Sequence, residues 1–172
     1  MLLLGGASSR FGSPKALARF RGQTLAERAW RSLGEACEER LAVGKEKLEL
    51  PFDVLDDGFE VRAPIAGVIA GLRAAVHETA VFLPVDCPLV TPELLRALGE
   101  ARAVPQTGPL PGAYGKDDLS VLERRLASGE LSLRGVNPRV LELEERLLAN
   151  ANTPAALSAL EGDLAARDEH PA

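Results

Sequence analysis

The sequence predicts an α/β fold in which a mostly parallel sheet carries helices on both faces. Short apolar runs alternate with amphipathic helical patterns along the chain, and clusters of polar residues, Gly and Pro separate them. The clearest strand, Thr79–Val85, is apolar throughout, as is typical of a central parallel strand covered on both faces. The length of 172 residues fits one domain, which we predict at residues 1–162, with a flexible polar tail at 163–172.

The first half of the chain contains three predicted strands and two helices. Met1–Leu4 is a short strand candidate, and Thr24-Leu25-Ala26-Glu27 has the capping-box pattern T-x-x-E that opens a helix. Residues 40–43 and 53–55 are further strand candidates. An apolar i, i+3, i+4, i+7 stripe from Ile65 to Val76 predicts the second helix.

The second half continues the alternation after strand Thr79–Val85. Thr91 and Pro92 are typical of the N-cap and first position of a helix that runs to about Ala101. Thr153 and Pro154 repeat this start for a last helix that ends near Gly162. The remaining predictions are strands at 110–114 and 139–143, a helix at 117–128 stopped by Gly129, and a loop over one sheet edge at 105–115.

Composition excludes several classes of protein. The net charge of −5 argues against a mainly electrostatic nucleic-acid binder, and no run of 18 apolar residues predicts a membrane span. The two histidines have no partners at metal-ligand spacing, which argues against a zinc site. Cys37 and Cys87 form no metal-binding motif; we expect two reduced thiols in a cytoplasmic protein, with one disulfide as the open alternative.

A glycine-rich loop follows the first strand. Gly5-Gly6 lets the backbone pass close to a ligand, and the N–H groups of such a loop suit phosphate oxygens. Arg10 and Lys15 add positive charge to the same loop. The segment matches neither the P-loop nor the G-x-G-x-x-G pattern, so a loop that holds phosphates in another way is predicted.

Carboxylates follow two of the predicted strands. Asp86 stands at the carboxyl end of the strongest strand, where open α/β sheets bind ligands, and one carboxylate with phosphates is a usual Mg²⁺ environment. Asp56 and Asp57 follow strand 53–55, just before a helix. An ordinary acidic turn at the helix N-terminus is the alternative explanation for that pair.

These motifs together resemble the molybdenum-cofactor guanylyltransferases of the nucleotidyltransferase superfamily. The matching segments are G-G-x-S-x-R-x-G-x-x-K-A-L at 5–17, D-x-P at 86–88, G-E-x-S-L-R at 129–134 and N-x-N-T-P at 150–154. Two further segments are similar: P-I-A-G at 64–67, where the family has P-L-A-G, and P-L-P-G-A-Y at 109–114, where the family has P-L-x-A-x-Y. The chain departs from the family at Leu4, where Ala is common, and at Gly44-Lys45, where an Asn is common.

The resemblance implies a single-domain, Rossmann-like three-layer sandwich and assigns roles to residues. Lys15, Arg10 and Asp86 would be catalytic, and Asp86 would bind Mg²⁺. GTP would be bound by Leu4, Gly5, Gly6, Arg10, Lys15 and Asp57, with Asp56 as the alternative to Asp57. Asn152 would lie near the metal and acceptor, while Asn150 is either in that vicinity or structural.

The activity implied by the resemblance is Mg²⁺-dependent transfer of GMP from GTP to the terminal phosphate of molybdopterin or Mo-molybdopterin. The products are molybdopterin guanine dinucleotide and pyrophosphate. Molybdenum-insertion proteins and recipient molybdoenzymes are implied as partners. Two alternatives stay open: a related nucleotidyltransferase that uses CTP or another phosphorylated acceptor, and a nucleotide-binding module without catalysis.

Overall fold

The computed structural model describes residues 1–5, 14–45 and 48–169. In chain order its elements are β1 Leu2–Leu3, β2 Arg19–Phe20, β3 Gln23–Thr24, α1 Leu25–Ala36, β4 Ala42–Val43, β5 Val54–Leu55, α2 Pro64–Ala74, β6 Thr79–Pro84, α3 Pro92–Ala101, β7 Val104–Pro105, β8 Gly112–Gly115, α4 Leu119–Ala127, β9 Val140–Leu141 and α5 Pro154–Glu169. The α/β prediction is confirmed. No helix of the described part is long and apolar enough to cross a membrane.

The central sheet has five strands in the order β5-β4-β1-β6-β8. Strands β5, β4, β1 and β6 pair in parallel, while β8 pairs antiparallel with β6. The chain builds the sheet outward from β1 to β4 and β5, then crosses to the other side of β1 with β6. The order therefore reverses between β1 and β6, which is where open α/β sheets form a ligand crevice.

The sheet separates two hydrophobic cores. Leu2 and Leu83 lie in the core that α1, α3 and α5 cover, whereas Leu3 and Phe82 lie in the core under α2 and α4. Successive side chains of a strand point to opposite faces, so each strand supplies both cores in turn. This gives three layers and explains why β1, β4 and the centre of β6 have apolar side chains on both faces.

Helix starts follow the predicted local chemistry. Thr24 Oγ1 accepts from Glu27 N at 3.1 Å, and Glu27 Oε2 accepts from Thr24 N at 2.9 Å, which completes the capping box. Thr91 Oγ1 accepts from Leu94 N at 3.3 Å at the start of α3. Both predicted N-termini are confirmed.

The ends of α2 and α5 differ from the prediction. Helix α2 ends at Ala74, and the side chain of Val76 is 74% exposed instead of belonging to the apolar stripe. Helix α5 continues through Gly162 to Glu169, so its predicted end near Gly162 is wrong. A single Gly in a helix costs only about 1 kcal/mol, and Leu160 and Leu164 on either side pack against the core.

The region predicted as a loop at 105–115 begins at the last residue of the short strand β7 and contains β8. Strand β7 pairs with β9 in a separate two-stranded sheet, and β2 forms a hairpin with β3. No strand prediction covers β2, β3 or β7, because these two-residue strands contain Arg, Gln, Thr or Pro and form no continuous apolar run, unlike β1, β4 and β5. Cys37 and Cys87 are both free, as expected, which removes the disulfide alternative.

Candidate active site

A cavity of about 520 Å³ opens at the carboxyl edge of the parallel strands. It extends from the ends of β4 and β5, past β1 and β6, to the segment before β8. Its centre is therefore the point where the strand order reverses. The volume lies in the range of small-molecule sites. Four cations, Lys15, Lys45, Arg62 and Arg134, and two carboxylates, Asp57 and Asp86, are among its described lining residues.

Lys15, Asp86 and Asn152 meet at the centre of the cavity. Lys15 Nζ lies 3.0 Å from Asp86 Oδ2 and donates to Asn152 Oδ1 at 3.0 Å. Lys15 begins the 3-10 turn Lys15–Leu17, and Asp86 follows the end of β6. The Lys15 and Asp86 side chains are 18% and 20% exposed, so the pair is shielded but open to a ligand.

A backbone hydrogen bond holds segment 150–152, which contains both asparagines, next to the end of β6. Ala151 N donates to Asp86 O at 2.7 Å, and this bond brings Asn150 and Asn152 to the cavity. The Cys87 thiol donates to Asn150 Oδ1 at 3.0 Å. Burial, together with the negative charge of Asp86, raises the pKa of Cys87 well above its usual value, so the thiol stays protonated and can donate. Cys87 is thus a buried residue whose thiol also forms a hydrogen bond.

Asp57, rather than Asp56, lines the cavity. Asp57 Oδ1 forms an ion pair with Lys45 Nζ at 2.8 Å and accepts from Phe59 N at 2.9 Å. The exposed Asp56 instead accepts from Gly58 N at 2.8 Å, which closes a local turn. Of the two candidates left open by the sequence, only Asp57 is placed to meet a ligand.

The opposite end of the cavity is formed by residues 107–110 and Arg134. Arg125 Nη1 donates to the backbone oxygens of Ser132 and Arg134 at 2.9 and 2.8 Å, which holds the segment that carries Arg134. Tyr114 is buried and donates from its hydroxyl to Pro109 O at 2.8 Å. Both wall segments are therefore fixed by side chains from neighbouring elements.

The structure brings most of the predicted site residues to this one cavity. They are Leu4, Gly5, Lys15, Asp57, Asp86, Asn150 and Asn152. Gly6 and Arg10 lie outside the described residues. The cations missed as site residues are Lys45, Arg62 and Arg134. Lys45 follows the carboxyl end of predicted strand 40–43, and this position could have identified it as a site residue. Arg134 ends the G-E-x-S-L-R segment at 129–134, but no function was assigned to it from the sequence.

Asp86 Oδ2 and Asn152 Oδ1 are the oxygens best placed to hold a cation, because both already face the same ammonium group. Among the described residues, no group of three or more His, Cys, Asp or Glu side chains could hold a metal ion. The donor set here suits a hard ion that takes one carboxylate and completes its shell with phosphates and water, as Mg²⁺ does.

Comparison with known proteins decides the family. The profile of the MobA-like NTP transferase domain matches residues 1–168. The chain belongs to the MobA-like NTP transferases. It is therefore a nucleotidyltransferase, as the resemblance implied.

Several relatives of this MobA-like chain are named for the reaction. It is 36% identical to the probable molybdenum cofactor guanylyltransferase of Deinococcus radiodurans over 92% of this chain and 91% of the relative. The molybdopterin-guanine dinucleotide biosynthesis protein A of Archaeoglobus fulgidus superposes with a TM-score of 0.79 at 22% identity, covering 96% and 97% of the two chains. The Mycobacterium tuberculosis protein Rv0371c, solved as a complex with manganese, superposes with a TM-score of 0.62 at 17% identity, covering 94% and 96%.

Proposed function

We propose that this MobA-like chain transfers GMP from GTP to the terminal phosphate of molybdopterin or Mo-molybdopterin, with Mg²⁺ as cofactor. The observation that carries the proposal is the convergence of Lys15, Asp86 and Asn152 at the switch point of the sheet. Guanylyltransferase relatives that are more than 30% identical over most of the chain support the choice of GTP and molybdopterin.

The positive charge of the cavity supports binding of a triphosphate. Lys15 lies at its centre, and Gly5 exposes backbone there: a Cβ added at Gly5 would meet nothing within 4 Å. Lys15, with Arg10 as the second cation of the loop, would offset charge on the triphosphate and on the leaving pyrophosphate. Leu4, Gly5 and Gly6 would let the nucleotide approach the end of β1 closely.

Asp86 would hold Mg²⁺, with Asn152 Oδ1 beside it as a second oxygen ligand. When bound, the ion would supply charge neutralisation at the reacting phosphate oxygens. Lys15 Nζ now stands between the same two oxygens, at 3.0 Å from each. An ammonium at that position supports the interpretation that the two oxygens form a site for positive charge.

The reaction needs no protein base. A phosphate monoester has its second pKa near 6, so the acceptor phosphate is largely dianionic at neutral pH. One of its oxygens forms a bond to the α-phosphorus of GTP while the bond from that phosphorus to the β-bridging oxygen breaks, and pyrophosphate leaves. The residues contribute by holding the two phosphates in line and by stabilising the charge that moves to the leaving group.

The end of the cavity at residues 107–110 and Arg134 suits the acceptor. Among described residues, no carboxylate lies within ion-pair distance of Arg134, so its charge is available to an anion. We infer that molybdopterin phosphate enters from this end and meets the α-phosphate at Asp86. The unpaired Cys37 and Cys87 agree with a reducing, cytoplasmic setting. Molybdenum-insertion proteins and recipient molybdoenzymes would be the partners that exchange the molybdopterin cofactor with this chain.

A transfer assay with competing nucleotides tests the proposal. Purified protein, molybdopterin and Mg²⁺ are mixed with equal GTP and CTP, and the dinucleotide product is identified by mass. We expect the guanine dinucleotide as the main product and no product without molybdopterin. A cytosine dinucleotide would assign the same chemistry to CTP. Tight Mg·GTP binding without product would favour a module that binds nucleotide without catalysis.

A further inference from the structure

Lys45 and Asp57 form an ion pair at the end of the cavity where β4 and β5 stop. Lys45 Nζ lies 2.8 Å from Asp57 Oδ1, and the two side chains are only 20% and 9% exposed. Both line the cavity that also holds Lys15 and Asp86. The pair is therefore shielded from bulk solvent and reachable by a ligand in the cavity, two conditions under which hydrogen bonds discriminate well.

The pair has unused hydrogen-bonding capacity. Asp57 Oδ1 accepts from Phe59 N and faces the Lys45 ammonium as an ion pair, which fixes the carboxylate, while no described group bonds to Oδ2. The Lys45 ammonium is paired with Asp57 by charge and has three N–H donors, of which at least two can turn to a ligand. Towards a ligand, the pair can thus present one fixed acceptor oxygen and up to two donors side by side.

The charge of this end indicates which part of a nucleotide lies there. The Lys45–Asp57 pair is neutral as a unit and offers both donors and acceptors, as an uncharged base requires. At the opposite end the Arg134 guanidinium has no ion-pair partner among the described residues, as an anionic group requires. With the triphosphate over Lys15 in the middle, the base lies at the Lys45–Asp57 end.

We propose that Lys45 is a specificity-determining residue that, with Asp57, selects guanine. Asp57 Oδ2 accepts from the N1–H and N2–H donors of guanine, and Lys45 donates to O6. Adenine has an amino group in the place of O6, and its N1 has no hydrogen to donate. Cytosine has a single amino group as its only donor on this edge. Adenine and cytosine therefore form fewer hydrogen bonds with Lys45 and Asp57 than guanine does. This inference rests on the proposed use of GTP and names the residues that would enforce it.

Binding of nucleotides by calorimetry tests the inference, with Mg²⁺ and the full chain. The variants are Lys45→Met, which removes the donor, Lys45→Arg, which keeps the charge, and Asp57→Asn, which replaces an acceptor oxygen by an amide donor. The ligands are GTP, inosine triphosphate, ATP, CTP and xanthosine triphosphate, whose C2 oxygen accepts where guanine donates.

We expect the wild type to bind GTP more tightly than ATP, CTP and inosine triphosphate. Lys45→Met loses roughly ten- to hundredfold of the preference for GTP over ATP, as expected for a hydrogen bond to a charged group, while Lys45→Arg keeps most of it. Asp57→Asn prefers xanthosine triphosphate to GTP. Arg62→Met is the matched control: it removes a cation from the same cavity, weakens all nucleotides alike and leaves the guanine preference unchanged.

Two results would overturn the inference while leaving the proposed function intact. One is a wild type that prefers GTP together with a Lys45→Met variant that keeps the full preference. The other is an equal loss of affinity for all five nucleotides in Lys45→Met and Asp57→Asn, which would assign the pair to the ribose or the phosphates. A wild type that shows no preference for GTP would instead contradict the proposed use of GTP itself.

Discussion

Asp86 is the residue on which the most contacts of the cavity depend. Its carboxylate pairs with Lys15, and its backbone oxygen holds Ala151 and with it the two asparagines. The side chain is thus placed to bind a cation, while the backbone contact shapes the site. Substituting the side chain separates these two contributions, because the backbone bond survives.

We predict that Asp86→Asn lowers kcat for GMP transfer on the order of 10²–10³, as for other preorganised electrostatic groups. The amide keeps the size of the side chain but loses the charge that holds Mg²⁺. Asp53→Asn, an exposed acid outside the cavity, is the control and should leave kcat unchanged. The rate is measured by the release of pyrophosphate, and thermal melting shows whether each variant is folded. Near-normal turnover in folded Asp86→Asn would contradict the metal assignment.

Asp86 could be predicted as a site residue from its position along the chain, whereas the contact of Lys45 with Asp57 depends on how two strands pair. Asp86 follows a six-residue strand whose end is readable, so the rule for strand ends located it. Lys45 meets Asp57 because β4 and β5 pair with Val43 opposite Leu55. Two-residue strands give no register in the sequence, so the pairing of Lys45 with Asp57 could not be predicted.

Helix α2 lies against the sheet because small residues face it. A Cβ added at Gly71 would lie 2.6 Å from Phe82 Cε1 and 3.5 Å from Met1 Cγ. Phe82 is fully buried and touches the Tyr114 ring edge-on, at 6.0 Å between centroids, so it has little room to move. The glycine therefore sets the distance between helix and sheet. Gly162 in α5 has the opposite surroundings, with nothing within 4 Å of the added Cβ.

These two glycines give a matched prediction at the level of the helices. Gly71→Ala should lower the free energy of unfolding, because overpacking costs about 1–3 kcal/mol and better helix propensity returns at most about 1 kcal/mol. Gly162→Ala should raise it by about 0.5–1 kcal/mol, since only the propensity gain applies. Urea denaturation measures both. Equal effects of the same sign would show that α2 does not pack as tightly as described.

Most elements of the fold follow from local signals, whereas their assembly does not. The T-x-x-E box and the Thr-Pro starts fix where α1, α3 and α5 begin, and the apolar run at 79–85 locates β6. The antiparallel pairing of β8 depends on long-range contacts that no local pattern encodes. The domain boundary at residue 162 stays a prediction, although the helix across it is continuous.

Two weak acids that are buried, Cys87 and Tyr114, should make the stability of the protein depend on pH. Burial, with the charge of Asp86, raises the pKa of Cys87, and burial, with the charge of Asp118, raises the pKa of Tyr114. In the unfolded chain these groups ionise near 8.5 and 10. Above those values the unfolded state has released protons that the folded state keeps, so the free energy of unfolding falls as pH rises.

We therefore predict that stability against urea declines between about pH 8 and 10.5, with each group contributing at most about 1.4 kcal/mol per pH unit. Cys87→Ala should flatten the first part of the decline and Tyr114→Phe the second. Parallel pH curves for the wild type and both variants would show that neither group is responsible.

The reaction proposed for the cavity around Lys15 and Asp86 is an attack on the α-phosphorus of GTP rather than on the γ-phosphorus. The most direct measurement uses molybdopterin and Mg²⁺ with GTP labelled at either the α- or the γ-phosphate. Nucleotidyl transfer predicts that the α-label enters the dinucleotide and the γ-label leaves as pyrophosphate, with both lost in Asp86→Asn. Release of the γ-label as inorganic phosphate, or its appearance on the acceptor, would contradict the account, because the bond broken would lie between the β- and γ-phosphates.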